Sequence, residues 1–414
     1  MAGRLEATLA PEGAAGGLQP ASPAMPDIER LRHYRLGRVQ QELARQDCGG
    51  IVLFDPANIR YATDTRNMAV WTLHNRFRCA FVPASGLATL FDFAYKIFGS
   101  QAEGLSTLAE VRQAHPIIHF YKGSRKQETI REWAAEIASL FREQGGGGRL
   151  AYDCLDPLAA EALKAEGIAL HDGEPLMERA RLIKSADEIA CMRRSLEACE
   201  LALARMRDAL VPGITENRLW AILHQTNIEE GGDWIETRLL SSGPRTNPWM
   251  QESSEREIQA GDLVGIDTDM IGPYGYCADM SRSWTCGHVP MTAEQRGIYR
   301  LALDQIEHNA ALLGPGLNFA EFNERQWRIP EENRPFRYSL AIHGVGMVDE
   351  WPVLPLHVDA AGAWGTDRGR FEEGMVVCVE SLMAAPGTES VKLETQILIT
   401  ATGSERLDSF PWEL

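Results

Sequence analysis

Acidic residues stand inside otherwise apolar, strand-like runs in the second half of this 414-residue chain. The runs are Val264-Gly-Ile-Asp267-Thr-Asp269, Val376-Val-Cys-Val-Glu380 and Val391-Lys-Leu-Glu394. Carboxylates rarely enter apolar strands unless an opposite charge or a metal ion accompanies them. Alternate side chains of a strand share a face, so Asp267 and Asp269 are predicted to point the same way. Among all features of the sequence this one constrains the fold most, because several strands must bring their acids together.

Two further residues extend the set of candidate ligands. Asp279 follows Asp269 by ten residues, beyond a predicted turn at Gly272-Pro273. His343 lies in Ala341-Ile-His343-Gly-Val-Gly346, where the glycines let other backbone approach closely. Several carboxylates with one histidine make an oxygen-rich site suited to two divalent cations. Taken alone, the segment from Asp267 to Asp279 also fits a surface hairpin with solvated carboxylates.

Two patterns of secondary structure divide the chain near residues 178–184. Residues 1–25, rich in Ala, Gly and Pro, are predicted to form a disordered tail. Residues 26–180 alternate helices and strands, which indicates a smaller α/β domain. Residues 181–414 combine grouped strands with long helices, which indicates an α+β domain.

Capping boxes and strand-like runs give the second domain its predicted elements. Ser185 with Glu188, and Thr292 with Gln295, are each typical of the start of a helix. Strands are predicted at 236–241, 261–270, 280–285, 375–382 and 391–400.

Charge and composition exclude several classes of partner. The chain has 41 Lys and Arg against 58 Asp and Glu, a net charge of −17. Such an acidic chain suits neither nucleic acid nor an anionic membrane surface. No apolar run approaches the roughly 18 residues of a membrane span, and the first residues lack the apolar core of a secretory signal. Eight cysteines without a CxxC pair indicate reduced thiols and a cytoplasmic protein.

The acids and the histidine resemble the metal-binding pattern of the creatinase, methionyl aminopeptidase and aminopeptidase P/prolidase family. That pattern is Asp, Asp, His, Glu, Glu in chain order around two metal ions. The run Arg181-Leu-Ile-Lys184-Ser185-Ala-Asp-Glu188-Ile189 resembles the family's entry helix, and Asp55-Pro-Ala-Asn58-Ile-Arg-Tyr61 more loosely resembles its amino-terminal domain. The resemblance implies an α+β pita-bread carboxy-terminal domain preceded by a smaller α/β creatinase-like amino-terminal domain.

The resemblance also implies roles for individual residues. It makes five residues metal ligands: Asp267, Asp279, His343, Glu380 and Glu394. The two aspartates are one residue further apart than is usual in the family. Asp269 stands where the family commonly has glycine, and it is a sixth candidate ligand.

Two departures from the family pattern bear on the reaction. Peptidase members carry two further histidines that handle the peptide, whereas this chain has Trp249 and Asp349 at those places. The altered pattern looks like the dimethylsulfoniopropionate lyase branch of the family, which removes a proton next to the substrate carboxylate and expels dimethyl sulfide. The resemblance implies Asp349 as the base and Tyr338 in substrate positioning, while Trp249 offers an aromatic face to a cation.

Alternatives stay open from the residues themselves. Trp249 and Tyr338 also suit ordinary packing, and Asp349 also suits a solvated turn. For the whole chain, the alternative functions are an Xaa-Pro peptidase or small-amide hydrolase using a dinuclear metal-bound hydroxide, and a catalytically idle binding protein. Cys277 and Cys378 adjoin ligand strands and are expected to face away from the ligands or to pack as apolar groups.

Cofactors and partners follow from the same resemblance. Two divalent transition metal ions are expected, with iron ahead of manganese, cobalt or zinc. Five ionised acids and two divalent ions leave one negative charge, which suits a small zwitterionic substrate; a trivalent iron would balance the site. Related proteins dimerise, so a homodimer is expected. Trp71 is a candidate to reach the neighbouring subunit's pocket, with packing in its own domain as the alternative.

Overall fold

The computed structural model describes residues 25–145, 147–359 and 369–413. The predicted tail therefore lies outside the described residues, except for its last residue, Met25. Within the part of the chain that is described, no helix is both long and apolar enough to cross a membrane.

The amino-terminal domain is a six-stranded mixed sheet with helices on both faces. Its strands lie in the order β4-β3-β2-β1-β5-β6; β1 pairs antiparallel with β2 and parallel with β5. Its elements are α1 (Ile28–Arg45), β1 (Cys48–Leu53), α2 (Pro56–Thr63), α3 (Ala69–His74), β2 (Cys79–Pro83), β3 (Ala88–Asp92), α4 (Tyr95–Phe98), β4 (Leu108–Gln113), α5 (His119–Lys122), α6 (Lys126–Leu140), β5 (Arg149–Tyr152), α7 (Pro157–Ala165), β6 (Leu170–Asp172) and α8 (Glu174–Leu182).

Alternation along β1 explains the two helix layers. Ile51 packs in the same apolar cluster as Val39 of α1, whereas Val52 packs with Trp133 of α6 on the other face. A strand with both faces covered needs apolar residues at every position, and all six residues of β1 are buried. The predicted α/β class of this domain follows from that layering.

The carboxy-terminal domain wraps curved antiparallel strands between two pairs of helices. Its elements are α9 (Ala186–Ala209), α10 (Glu216–Glu229), β7 (Trp234–Ile235), β8 (Leu240–Ser242), β9 (Leu263–Asp267), β10 (Met270–Ile271), β11 (Cys277–Ala278), β12 (Ser281–Thr285), α11 (Ala293–Leu312), α12 (Phe319–Arg325), β13 (Leu340–Val345), β14 (Asp349–Pro355), β15 (Val376–Met383), β16 (Val391–Ile399) and β17 (Ser404–Arg406). Among the described residues of this domain, the strands form three sheets, of order β11-β10-β7, β12-β9-β8 and β14-β13-β15-β16-β17.

Two apolar clusters hold these layers together. Met192 and Leu203 of α9 pack with Ile266 of β9, whereas Tyr299 of α11 packs with Val379 of β15. Both predicted capping boxes are present at the starts of α9 and α11. This arrangement is the predicted pita-bread architecture.

The strand prediction at 236–241 is largely wrong. Trp234–Ile235 and Leu240–Ser242 are the strands here, and residues 236–239 between them are irregular. The irregular stretch lies against the segment between β9 and β10 instead of joining a sheet. The backbone N–H of Glu236 donates to the carbonyl oxygen of Asp269 at 3.0 Å.

Candidate metal centre

Six predicted ligands come from six places in the carboxy-terminal domain. Asp267 ends β9, Asp269 lies between β9 and β10, and Asp279 lies between β11 and β12; the others are His343 on β13, Glu380 on β15 and Glu394 on β16. Glu380 and Glu394 are direct cross-strand partners, so one strand pair presents both carboxylates at the same level. All six are buried.

His343 lies at the centre of one group of candidate ligands. Its Nε2 atom is 3.0 Å from Glu394 Oε1, 3.4 Å from Asp279 Oδ2 and 3.9 Å from Glu380 Oε1. Its Nδ1 atom is 3.0 Å from the Gly344 carbonyl oxygen. A hydrogen on Nδ1 that donates to this carbonyl leaves the Nε2 lone pair facing the acids, which is how a metal-binding histidine is oriented.

Asp269, Asp267 and Asp279 form a second group of candidate ligands. The backbone conformation that brings Asp269 into this group was not predicted from the sequence. Regular strand geometry ends at Asp267, and Asp269 has a φ of 34°, in the left-handed region that favours glycine. The kink turns its carboxylate toward the other two, with all three ligand oxygens within 4.8 Å of one another. Thr237 Oγ1 donates to Asp269 Oδ2 at 2.6 Å.

Lys392 is a member of this site that the sequence analysis missed. Its Nζ atom is 2.7 Å from Glu394 Oε2, 3.0 Å from Glu380 Oε2 and 3.3 Å from Asp267 Oδ2, and its side chain is buried. The spacing could have revealed it, because Lys392 precedes Glu394 by two positions and therefore shares its strand face. Five carboxylates and this ammonium leave four negative charges, which two divalent ions balance without a trivalent iron.

The pKa values of the acids shift in different directions, because nearby positive groups compensate the negative charge of some acids more than others. Burial, together with Glu394 and the neighbouring aspartates, raises the pKa of Asp279 well above its usual value. Burial also raises the pKa of Glu380, to about 8, against the opposing effect of Lys392. Burial acts in the same direction on Glu394, but Lys392 and His343 outweigh it and lower its pKa. Glu394 makes the shortest contacts to both Lys392 and His343, so its charge is compensated better than that of Asp279 or Glu380.

An unpartnered oxygen supports a metal at this place. Asp279 Oδ1 is buried and has no hydrogen-bond partner among the described residues. Leaving a buried carboxylate oxygen unsatisfied costs about 1–3 kcal/mol or more, so such atoms are rare without an ion nearby. The donor set is oxygen-rich with one imidazole, which fits divalent cations.

Cys378 differs from its expected orientation. It pairs with His343 across β13 and β15, and it precedes Glu380 by two positions on the same strand face. Its Sγ atom is 3.7 Å from Asp279 Oδ2 and belongs to the His343 group of candidate ligand atoms. The expectation that it faces away from the ligands is therefore wrong, because it is an even number of residues from Glu380.

Trp249 lies over the strand face that carries Asp267. A Cβ atom at Gly265 would be 3.0 Å from Trp249 Cζ3, and Gly265 precedes Asp267 by two positions in β9. The indole is 8% exposed, and its Nε1 hydrogen has no partner among the described residues. The structure thus brings Trp249 to the same side of the sheet as the acids.

Asp349 and Tyr338 border the same group of acids. Asp349 Oδ1 is 3.7 Å from His343 Nδ1, and 58% of the Asp349 side chain is exposed. The Tyr338 ring lies 5.5 Å from Lys392 Nζ, and burial with nearby Glu380 raises the pKa of its hydroxyl. An accessible carboxylate and a phenol therefore face an enclosed cluster of acids from its rim.

Trp71 lies in the amino-terminal domain, whereas the other predicted site residues lie in the carboxy-terminal domain. It packs in the amino-terminal domain with the rings of Phe77, Phe93 and Tyr121, at centroid distances of 5.6, 5.9 and 6.4 Å. Within one chain, Trp71 therefore packs in its own domain, which was the alternative prediction for this residue. The surface beside it is apolar, with Val70 and Phe120 exposed.

The fold and the ligand groups define a class of metalloenzyme. Residues 190–401 match metallopeptidase family M24, and residues 35–183 match the creatinase/prolidase amino-terminal domain. The chain belongs to family M24.

Particular relatives narrow this class. The chain is 41% identical to "Dimethylsulfoniopropionate lyase DddP" of Roseovarius nubinhibens over 95% of its length and 89% of the relative's. It is 37% identical to the protein of the same name from Roseobacter denitrificans, over 94% of this chain and 88% of that one. The structure of Xaa-Pro dipeptidase from Bacillus anthracis has a TM-score of 0.71 at 21% identity, covering 92% of this chain and 99% of that chain, which shows the shared fold.

Proposed function

We propose that this protein is a metal-dependent carbon–sulfur lyase that cleaves dimethylsulfoniopropionate by β-elimination. A base removes a proton from the carbon next to the carboxylate, and that electron pair forms the new double bond. The bond from the β-carbon to sulfur breaks, and its electrons leave with sulfur. The products are acrylate, dimethyl sulfide and the proton held by the base, so atoms and charge balance.

The observation that carries the proposal is the accessible Asp349 carboxylate beside a metal-type cluster. Two relatives with the lyase name match nearly the whole chain. A carboxylate can accept a carbon-bound proton, whereas it is a poor donor to a peptide oxyanion. Burial on its inner side and the nearby Glu394 raise the pKa of Asp349, which strengthens it as a base.

Other residues of the site would hold the substrate at its two charged ends. Trp249 offers an aromatic face to the sulfonium, a favourable contact of about 1 kcal/mol or more when water is excluded. Tyr338 lies beside Lys392 at the rim and would position the substrate by its hydroxyl. Bound divalent ions would hold the substrate carboxylate and stabilise the negative charge that develops beside it.

The ligand set of the two metal ions is proposed as Asp267, Asp269, Asp279, His343, Glu380 and Glu394. Iron is the metal we expect, because a mixed set of carboxylates and one imidazole, with the Cys378 thiol adjacent, suits a transition metal. Manganese, cobalt and zinc are the alternatives.

We also place the protein in the cytoplasm as a homodimer. The eight cysteines are all free thiols, as in a reducing compartment. The surface around Trp71 exposes Val70, Leu73, Phe120 and Tyr121, and a second copy of the chain is its proposed occupant. In that dimer Trp71 would reach the neighbouring subunit's pocket.

The test incubates metal-loaded protein with dimethylsulfoniopropionate and, separately, with an Xaa-Pro dipeptide. Dimethyl sulfide and acrylate are expected in equal amounts, and Asp349→Asn should slow the release of both by about 10²–10⁴-fold while metal content stays constant. Dipeptide cleavage without dimethyl sulfide would instead identify a dinuclear hydrolase. Metal analysis of the purified protein then tests iron against manganese, cobalt and zinc.

The dimer is tested by light scattering after gel filtration. Phe120→Asp should yield monomers, whereas Ile228→Asp, a matched change at an exposed apolar residue of α10, should not. Trp71→Ala with full activity would reject a role for Trp71 in the neighbouring pocket.

A further inference from the structure

A buried ion triplet lies directly behind the residue proposed as the base. Glu350 Oε1 accepts from Arg181 Nε at 3.0 Å, and Glu350 Oε2 accepts from Lys184 Nζ at 2.8 Å. The three side chains are 1%, 5% and 2% exposed for Glu350, Arg181 and Lys184. Removing three charges from water is costly, so such a group seldom adds net stability over apolar packing. Its geometric effect on Asp349 is therefore the more informative property.

Neighbouring residues of a strand point to opposite faces, and here the two faces have different environments. Asp349 and Glu350 begin β14, where they pair with Val345 and Gly344 of β13. Glu350 points into the ion triplet, and Asp349 points to the accessible rim beside His343. The direction of one carboxylate thus sets the direction of the other.

Strand pairing by itself leaves this segment weakly defined. The register between β13 and β14 shifts between His343 and Gly344, so the ladder is interrupted beside the base. Glu350 also ties its side chain to the turn between the two strands, because its Oε1 accepts from Met347 N at 3.3 Å. Gly346 makes room for this carboxylate, since a Cβ atom there would lie 2.5 Å from Glu350 Oε1.

The cations of the triplet belong to the junction between the two domains. Arg181 lies in the last turn of α8, and its guanidinium also donates to Asn58 of α2 and to Glu178. Glu178 in turn accepts from Trp351 N at 2.8 Å. Two successive residues of β14 are therefore tied to α8, the last helix of the amino-terminal domain, which also packs against α1.

We propose that Arg181, Lys184 and Glu350 are positioning residues that hold Asp349 at the substrate, an inference that rests on the proposed role of Asp349 as the base. They touch neither substrate nor metal ligands and act through the backbone of β14. A loosened triplet lets Asp349 move by a fraction of its side-chain length, and a misplacement of about 1 Å costs on the order of 10²-fold in rate.

The test is a double-mutant cycle on dimethyl sulfide release. Glu350→Gln is expected to lower kcat by about 10²-fold while KM and metal content stay within about twofold. In an Asp349→Ala background the same change should have no further effect, because the positioned group is absent. Lys184→Met should lower kcat, and Lys184→Arg should restore most of it.

The matched control is a second ion pair at the domain junction. Asp187 accepts from Arg30 Nε at 2.6 Å and from Asp27 N at 2.9 Å, and it lies three residues from Lys184. Asp187→Asn removes an ion pair between α1 and α9 in which the Arg30 side chain is 66% exposed, and this pair does not involve β14. We expect it to leave kcat within about twofold, with any loss confined to thermal stability.

Hydrogen exchange separates this inference from the proposed function. Exchange of amides 346–351 is expected to accelerate in Glu350→Gln and not in Asp187→Asn, whether or not the protein releases dimethyl sulfide. Absence of dimethyl sulfide from the wild type would overturn the lyase proposal and the catalytic part of this one. An active wild type with an unchanged kcat in Glu350→Gln, or an equal loss in the Asp349→Ala background, would overturn the positioning role alone.

Discussion

Glu216 and the candidate metal centre both place negative charge in the protein interior. They differ in how many hydrogen-bond donors the protein supplies to each carboxylate. The Glu216 carboxylate accepts from Ser242 N and Oγ at 2.9 and 2.7 Å, from Ser254 N and Oγ at 3.0 and 2.6 Å, and from Arg245. In the candidate metal centre, Lys392 and Ser281 both lie against Asp267 and Glu394, and Thr237 donates to Asp269. Asp279 Oδ1 has no hydrogen-bond partner among the described residues. Donors from the protein satisfy the first group and leave the second incomplete.

This difference separates a structural acid from a ligand. A buried carboxylate that stabilises the fold arrives with its own donors, as at Glu216 and in the triplet of Glu350. A carboxylate that binds a metal must leave an oxygen free for the ion, at a cost to the metal-free protein. The number of protein donors around an acid therefore indicates its role better than its burial does.

Metal removal should produce the largest effect. A chelator is expected to abolish dimethyl sulfide release and to lower the free energy of unfolding by about 4 kcal/mol per site, for a metal held at a thousand times its Kd. Calorimetry before and after dialysis against chelator measures the shift. Restoration of both properties by added metal is the control, and unchanged melting would mean that the acids hold no ion.

Asp279→Asn should act oppositely on function and on metal-free stability. Loss of a ligand is expected to reduce bound metal and activity by more than about 10²-fold. The metal-free variant should be more stable than metal-free wild type by about 1 kcal/mol, because a buried carboxylate with one unpartnered oxygen has been neutralised. Denaturant melts in the presence of chelator measure this difference, and a destabilised variant would contradict the ligand role.

Glu216→Gln is the matching change in the satisfied group. The amide cannot accept from all of the same donors, and Arg245 loses its counter-charge, so we expect a loss of about 3 kcal/mol in stability. Metal content and kcat per folded molecule should not change. A fall in metal binding would show that the two regions are not independent.

Asp269→Gly should have only a small effect on stability and still impair function. Glycine adopts the positive φ of this position freely, so the variant is expected to gain about 1 kcal/mol in unfolding free energy. Activity should fall because a candidate ligand is lost. Asp269→Asn keeps the size of the side chain and the backbone strain, so it should lose activity without the gain in stability.

Local patterns in the sequence determined much of the fold and pointed to the candidate ligands. Capping boxes at Ser185 and Thr292 and continuous apolar runs are short-range signals, and the helices and most strands follow them. The acids in apolar strands and the resemblance to a metalloenzyme family pointed to all six candidate ligands. Family membership and fold class are confirmed, whereas the roles of single residues stay predictions.

Only the tertiary structure decided how charges from distant segments compensate one another. Lys392 became part of the site because β16 lies beside β15 and β9, and Glu350 became a support for Asp349 because α8 packs against β14. Neither contact is local in sequence, and a charged residue looks the same in a one-dimensional pattern whether its partner is water, an ion or another side chain. Electrostatic free energy depends on distance and on exclusion of water in three dimensions, and folding alone sets both quantities.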